Sequence, residues 1–302
     1  MTVLVAPQVP GRILAWCLAL RPWSFTISLA PILAGTSLSI LDGHGARFGL
    51  ALAALLASIL IHAGTNLQND VGDFRRGADG AGRIGPPRAT TEGWLPASQV
   101  QFAAVLCFAT AFLPGVYLVV HGGWPIIAIG VASVAAGAVY TAGPRPVAYS
   151  GWGEAFVILF FGLVAVGGTY YLHAGTIGTA PLLAGAAVGL LAAAVLVVNN
   201  LRDIDSDRRI GKNTLAVRCG VRFTLLEYAF LLHAPFALVL VLAVHEERAG
   251  LLAPLVLLPW ATLLSLRVRR APAGGWLNRA LASTAKLGLA FALLLSIGAG
   301  LA

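Results

Sequence analysis

Two stretches hold the side chains capable of chemistry. One runs Asn199-Asn200-Leu201-Arg202-Asp203-Ile204-Asp205-Ser206-Asp207 and continues through Arg208-Arg209-Ile210-Gly211-Lys212-Asn213-Thr214-Leu215. Read as a continuous helix, it sets Asn199, Asp203 and Asp207 four residues apart on one face, with Asp205 pointing elsewhere. Carboxylates so placed repel each other unless a cation joins them. A hard divalent ion that keeps its waters and binds phosphates suits such a pair. The other stretch, Asn66-Leu67-Gln68-Asn69-Asp70-Val71-Gly72-Asp73, puts Asn66, Asp70 and Asp73 on one helical face at spacings of four and three. Of the twelve acidic residues in the chain, six lie in or just after these clusters: Asp70, Asp73, Asp79, Asp203, Asp205 and Asp207. Either cluster alone reads equally well as a charged, solvated loop. Two similar ones, four apolar segments apart, read as two halves of one metal–diphosphate site.

The elements that must position them are membrane-length. Hydrophobic residues make up 58% of the chain and charged residues 11%, less than half the share of a soluble domain. Apolar stretches of about 18 residues or more recur along the whole length, and each is long enough to cross a bilayer as a helix. A helix satisfies its own backbone groups in lipid, so the expected fold is an all-α polytopic bundle. The spans read as 24–41, 48–69, 98–120, 124–141, 154–173, 177–200, 223–244, 250–266 and 282–301, nine in one transmembrane domain covering 1–302. Residues 1–12 have no helical period and read as loosely ordered; Ile13–Leu20 is too short to span and reads as an interfacial helix. The three cysteines show no paired spacing, so neither a metal motif nor a disulfide framework is expected.

With the N-terminus inside, eighteen of the twenty basic residues fall on one side, Arg47 and Arg248 being the exceptions. That asymmetry puts the N-terminus and both acidic clusters on the cytoplasmic side; the membrane expected is a bacterial inner membrane. It also accounts for the net charge of +8 without a nucleic-acid partner. The lone histidines His44, His121, His173 and His245 read as solvated residues of the outer loops. His233 reads as a packed residue of the seventh span. His62 lies one turn before Asn66 on the same face and reads either as interior polar packing or as part of the site.

The chemistry that fits is ionisation of a prenyl diphosphate held through Mg²⁺, where the metal neutralises the diphosphate and acts as a Lewis acid. Arg202, Arg208, Lys212 and Arg75 would add positive charge where negative charge develops. The allylic cation left behind needs shielding from water and an aromatic face, for which Tyr140 is the candidate; an interfacial belt role is its alternative. Metal or catalytic roles fall to Asp70, Asp73, Asp203 and Asp207, and Asp79 joins them as a ligand. Asn66, Asn69, Asn199 and Asn200 complete the diphosphate-binding set. Arg21, His62 and Arg145 group with Tyr140 as an acceptor pocket. Asp70→Ala or Asp203→Ala is expected to abolish turnover without disturbing the core.

Four stretches resemble the UbiA superfamily of membrane prenyltransferases. They are Asn69-Asp70-Val71-Gly72-Asp73 through Asp79, Arg83-Ile84-Gly85-Pro86 and Gly93; Tyr140-Thr141 with Arg145-Pro146, Tyr149, Gly151 and Gly153-Glu154; Asn199 through Asp207 with Gly211-Lys212-Asn213-Thr214-Leu215; and, more weakly, Arg21-Pro22 with Ala30-Pro31 and Gly35. The loop from Gly77 to Pro86 resembles the naphthoate-specific branch, where the third aspartate of the wider family is displaced, here from position 77 to Asp79. The resemblance implies a nine-helix bundle and transfer of a polyprenyl group from its diphosphate to 1,4-dihydroxy-2-naphthoate, with loss of carbon dioxide and diphosphate, giving demethylmenaquinone. Its alternatives are another aromatic acceptor or a membrane terpene cyclase. A transporter would need polar residues near the bilayer midplane, whereas these charges cluster at one face. A phosphatidyl-alcohol transferase would hold its aspartates in one compact motif.

Overall fold

The structure is a computed structural model that describes residues 10–77, 84–143 and 146–300. Asp79, Arg83 and Arg145 lie outside these residues, as do residues 1–9 of the N-terminal segment read as loosely ordered. Among the described residues nine helical segments are long and apolar enough to cross a bilayer. The chain is a multi-pass, all-α membrane protein.

Helix α1 (Arg12–Leu20) packs Ala15 and Ala19 against Leu67, Val71 and Ala89 and leaves Ile13 and Leu14 exposed. A 3₁₀ turn, Pro22–Phe25, leads into α2 (Thr26–Leu41). The second span is α3 (Phe48–Arg75), which carries the first acidic cluster in its last turns. The third span is two helices, α4 (Ala97–Thr110) and α5 (Phe112–Gly122), broken at Ala111. Pro114 accounts for the break, because its ring crowds the carbonyl of Thr110. Helix α6 (Trp124–Thr141) is followed by α7 (Gly153–Val157), which runs through a π-helical segment, Ile158–Val164, into α8 (Ala165–Ala174).

Helix α9 (Thr179–Arg202) is the central span and the most buried. Its alanines and glycines let neighbouring backbones come close, the usual means of packing helices in lipid. A Cβ on Gly162 would stand 2.4 Å from the Gly185 carbonyl oxygen, so only hydrogen fits at that crossing. The short α10 (Ile204–Arg209) follows, then α11 (Leu215–His245), bent at Gly220, whose φ of 78° and ψ of 174° are open to glycine. A 3₁₀ stretch, Ala249–Leu257, continues into α12 (Leu258–Arg270), and α13 (Leu277–Gly300) closes the bundle against α2 and α9.

One expectation needs correction here. His173 is not a solvated loop residue: it is buried, 3.3 Å from the Thr36 hydroxyl, and accepts from the Arg47 amide at Nδ1.

Candidate active site

The face of α3 that lines the central cavity carries Ser58, Ile61, His62, Thr65, Asn66, Asn69 and Asp73. Asp70 is not part of it. Its carboxylate is 1% exposed and turns to the loop that follows α3, accepting from the amides of Ala89 (3.2 Å) and Thr90 (3.3 Å) and from the Thr90 hydroxyl. The expected face of Asn66, Asp70 and Asp73 is therefore replaced by Asn66, Asn69 and Asp73. Asn66 donates to the Leu20 carbonyl at 3.0 Å and to Ser24 Oγ at 3.2 Å. Asn69 Oδ1 is buried with no hydrogen-bond partner. Asp73 pairs with Arg88, Nη2 to Oδ2 at 2.9 Å, and accepts from the Tyr149 hydroxyl at 3.0 Å.

In the second cluster the helix is interrupted. Asp203 closes α9 with φ −98° and ψ 7°, and α10 restarts at Ile204. Hydrogen bonds from Asp203 to Asn199 and from Asp207 to Asp203 still carry the register across the break. Arg202 is buried and makes four hydrogen bonds: it grips Asp203 through Nε (2.8 Å) and Nη2 (2.6 Å) and reaches Asn199 Oδ1 and Asn278 Oδ1. Asn200 donates to Glu154 at 2.7 Å. Asp207 lies 3.3 Å from Lys212 Nζ, and its Oδ2 is buried without a partner. Burial pushes the Asp207 carboxyl up to about 6; Asp203 and Asp73 push the same way, against the pull of Lys212.

Arg75 and Arg208 do not join the site. Arg75 is exposed and reaches Gln101, while Arg208 is 58% exposed beside Asp205. The neighbouring Arg76, also exposed, reaches the end of α6 instead, donating to the carbonyls of Thr141 and Gly143.

Three residues outside the expected set tie the clusters together. Tyr149 bonds Asp73 and lies under both the Arg76 guanidinium (5.2 Å) and the Lys212 ammonium (5.6 Å), so it bridges the two acidic stretches. Burial, and then the Asp73 charge, push its phenol upward. Arg88 and Asn278 come from the loop after α3 and the start of α13; Asn278 also holds the Ile84 carbonyl at 3.0 Å. In the sequence each reads as an ordinary polar residue at a span boundary, and Tyr149 stands out only through the family pattern.

Among the described residues no three carboxylate, imidazole or thiol groups already surround one ion position. The donor chemistry nevertheless fits a hard divalent ion. Asn69 Oδ1 and Asp207 Oδ2, one from each cluster, are buried oxygens without partners, and the carboxylates of Asp73 and Asp203 stand beside them.

From this charged end a cavity of about 970 Å³ runs between α2, α3, α5, α6, the α7–α8 span and α9. Both Asp73 and Ala54 line it, a rise of about 28 Å along α3 at 1.5 Å per residue. Next to the acids its wall is aromatic: Tyr140 and Phe156 have ring centroids 5.8 Å apart, and Phe156 and Phe160 4.6 Å. Beyond them the lining is aliphatic to Val119 and Ile126. Arg21, in a left-handed turn with φ 55°, lines the same cavity. His62 sits beside it, held by the hydroxyls of Ser28 (2.9 Å) and Ser24 (3.2 Å) between the rings of Phe25 and Phe161.

Comparison with known proteins agrees with this architecture. Chains named 1,4-dihydroxy-2-naphthoate octaprenyltransferase are 40% identical in Escherichia coli, over 70% of this chain and 71% of that one, and 32% identical in Bacillus subtilis, over 97% and 94%. A solved UbiA homologue from Archaeoglobus fulgidus, bound to DMAPP and Mg²⁺, superposes with a TM-score of 0.67 at 16% identity, covering 93% of this chain and 99% of that one. A second, from Aeropyrum pernix, gives 0.66 at 17% identity over 92% and 97%. The model of the UbiA prenyltransferase family matches residues 28–287, and the chain belongs to that family.

Proposed function

We propose that the protein transfers a polyprenyl group from its diphosphate to 1,4-dihydroxy-2-naphthoate, with Mg²⁺, at the cytoplasmic face of a bacterial inner membrane. Residues 1–302 act as one transmembrane unit. The observation that carries the reading is the polarity of the cavity: paired acids and bases at one end, an aromatic collar, then an apolar bore. The relatives' names supply the acceptor.

Each end of the donor meets its own chemistry. Asn69, Asp73, Asp203 and Asp207 would hold the metal, which supplies Lewis-acid charge to the leaving diphosphate. Asp70 fixes the adjoining loop, and Asp79 remains a proposed ligand. Arg202, Lys212, Asn199 and Asn200 line or support the diphosphate position, and their charge stabilises the leaving group. The carbon–oxygen bond to diphosphate breaks and leaves an allylic cation. Tyr140 and Phe156 face it with π-density, and the apolar wall beyond them offers no water-binding groups of its own. The acceptor carbon attacks, the new carbon–carbon bond forms, and the carboxyl group leaves as carbon dioxide. Arg21 and Arg145 would orient the acceptor carboxylate. His62, fixed by two serines, would take a hydroxyl proton as the acceptor attacks and return it to that oxygen once carbon dioxide has left.

The test uses membranes containing the protein, Mg²⁺ and a polyprenyl diphosphate, with 1,4-dihydroxy-2-naphthoate in one tube and 4-hydroxybenzoate in another. Prenylated naphthoquinone in the first alone is the expected result. Product only in the second overturns the acceptor, and diphosphate release without prenylated aromatic would indicate a cyclase.

A further inference from the structure

Both aspartates of the first cluster are committed to one short segment of the loop that follows α3. Asp70 accepts from the amides of Ala89 and Thr90 and from the Thr90 hydroxyl. These contacts fix the residue immediately before them. Arg88 is 7% exposed, lines the cavity and places Nη2 2.9 Å from Asp73 Oδ2. Its guanidinium therefore rests on a carboxylate that the functional reading assigns to the metal, beside the space assigned to the diphosphate. A divalent ion arriving alone would have to compete with this guanidinium for Asp73 and would stand close to its positive charge. A metal–diphosphate complex brings an anion that both cations can share. The planar fork of arginine binds carboxylate and phosphate in the same way.

We propose that Arg88 couples the two ligands: it occupies Asp73 in the free protein and passes to the diphosphate as the ion reaches Asp73, so that ion and donor bind together. The proposal rests on the donor site described above. It makes Arg88 a diphosphate-binding residue whose loss has opposite effects on the two ligands. Removing its charge frees Asp73 for the ion and takes one contact from the donor.

The experiment titrates Mn²⁺, by its electron paramagnetic resonance signal, into the full-length purified protein with and without farnesyl thiolodiphosphate, an unreactive donor analogue. Arg88→Gln is expected to bind Mn²⁺ alone about tenfold more tightly than the parent, and the analogue in the presence of Mn²⁺ about tenfold more weakly. Arg88→Lys keeps the charge, so Mn²⁺ alone should bind as weakly as in the parent. If both affinities fall together in Arg88→Gln, the residue is structural and the coupling is overturned. Unchanged Mn²⁺ binding overturns it equally. If Arg88→Gln does not fold, tighter binding of Mn²⁺ alone to Arg88→Lys has the same force against it. A parent protein that binds no Mn²⁺ even with the analogue would sink the donor-site reading itself, a result distinct from each of the others.

Discussion

Asp70→Ala separates a loop anchor from a metal ligand. In the structure the carboxylate is almost wholly buried and receives three donors from residues 89 and 90. Alanine removes all three acceptor contacts. The Thr90 hydroxyl keeps the Asp70 carbonyl as an alternative at 3.3 Å, but the amides of Ala89 and Thr90 donate to the carboxylate itself. A buried amide left without a partner costs about 1–3 kcal/mol, so two cost about 2–6 kcal/mol. That is a large part of the roughly 5–15 kcal/mol that holds a typical domain together. The expectation from sequence, lost turnover with an undisturbed core, is thus replaced by lost stability first. The assay is thermal unfolding of purified protein in detergent, followed by Mn²⁺ titration in the presence of a donor analogue at a temperature where the variant is folded. Asp70→Ala should melt well below the parent and, once folded, still bind Mn²⁺. Asp73→Asn should lose Mn²⁺ binding. If Asp70→Ala melts like the parent yet loses the ion, the carboxylate leaves the loop for the metal and the anchoring argument is wrong.

Three further outcomes follow from the same geometry. Asp207 titrates near 6 rather than near 3.8, so the free protein should gain stability as pH falls from 7 toward 4, where folding favours the protonated acid. Ion binding, which must expel that proton, should weaken over the same interval; an Mn²⁺ affinity equal at pH 5 and pH 7.5 would contradict this. Gly162→Ala drives a methyl group to 2.4 Å from the Gly185 carbonyl and should cost about 1–3 kcal/mol or more in unfolding measurements, whereas Gly130→Ala, with no atom within 4 Å, should be close to neutral. Gly130→Trp fills open space at the wall of the apolar bore and should lower kcat/KM for long polyprenyl donors while sparing geranyl diphosphate; equal losses for both would refute a tail running past that position.

Much of the fold was legible because membrane spans are written in composition. The apolar runs predict nine segments, and the described residues form nine spans at those positions, most within a few residues, with both acidic stretches at one end. What was not legible is which of two adjacent residues a helix turns inward. Asn69 and Asp70 differ by about 100° around α3, and spacing alone admits a face through either. Packing decides between them. Leu67 and Val71 bury themselves against Ala89 and Leu95, so the loop claims the Asp70 side and the cavity receives Asn69 and Asp73. Arg75 and Arg76 pose a similar choice of neighbour, and Arg76 is the one that reaches the Thr141 carbonyl. The break at Asp203 left no mark in the periodicity. Tyr149 and Arg88 act through partners some 60 or more and 15 positions away, which no local pattern encodes.

The pairing of charges explains why the site is acid-rich and yet stable without a ligand. Asp73 holds Arg88, Asp203 holds Arg202, and Asp207 holds Lys212; Asp70 is neutralised by backbone donors. Buried carboxylates standing alone would each carry a severe desolvation cost, and these internal pairs offset it. A metal–diphosphate complex is itself a pair of opposite charges. In the proposed reading its arrival exchanges partners: the cation passes to the carboxylates, and the anion to Arg88, Arg202 and Lys212. Departure of the diphosphate with its ion would restore the internal pairs. Product release then costs little electrostatic energy, although Asp73, Arg88, Arg202 and Lys212 line one end of an apolar bore.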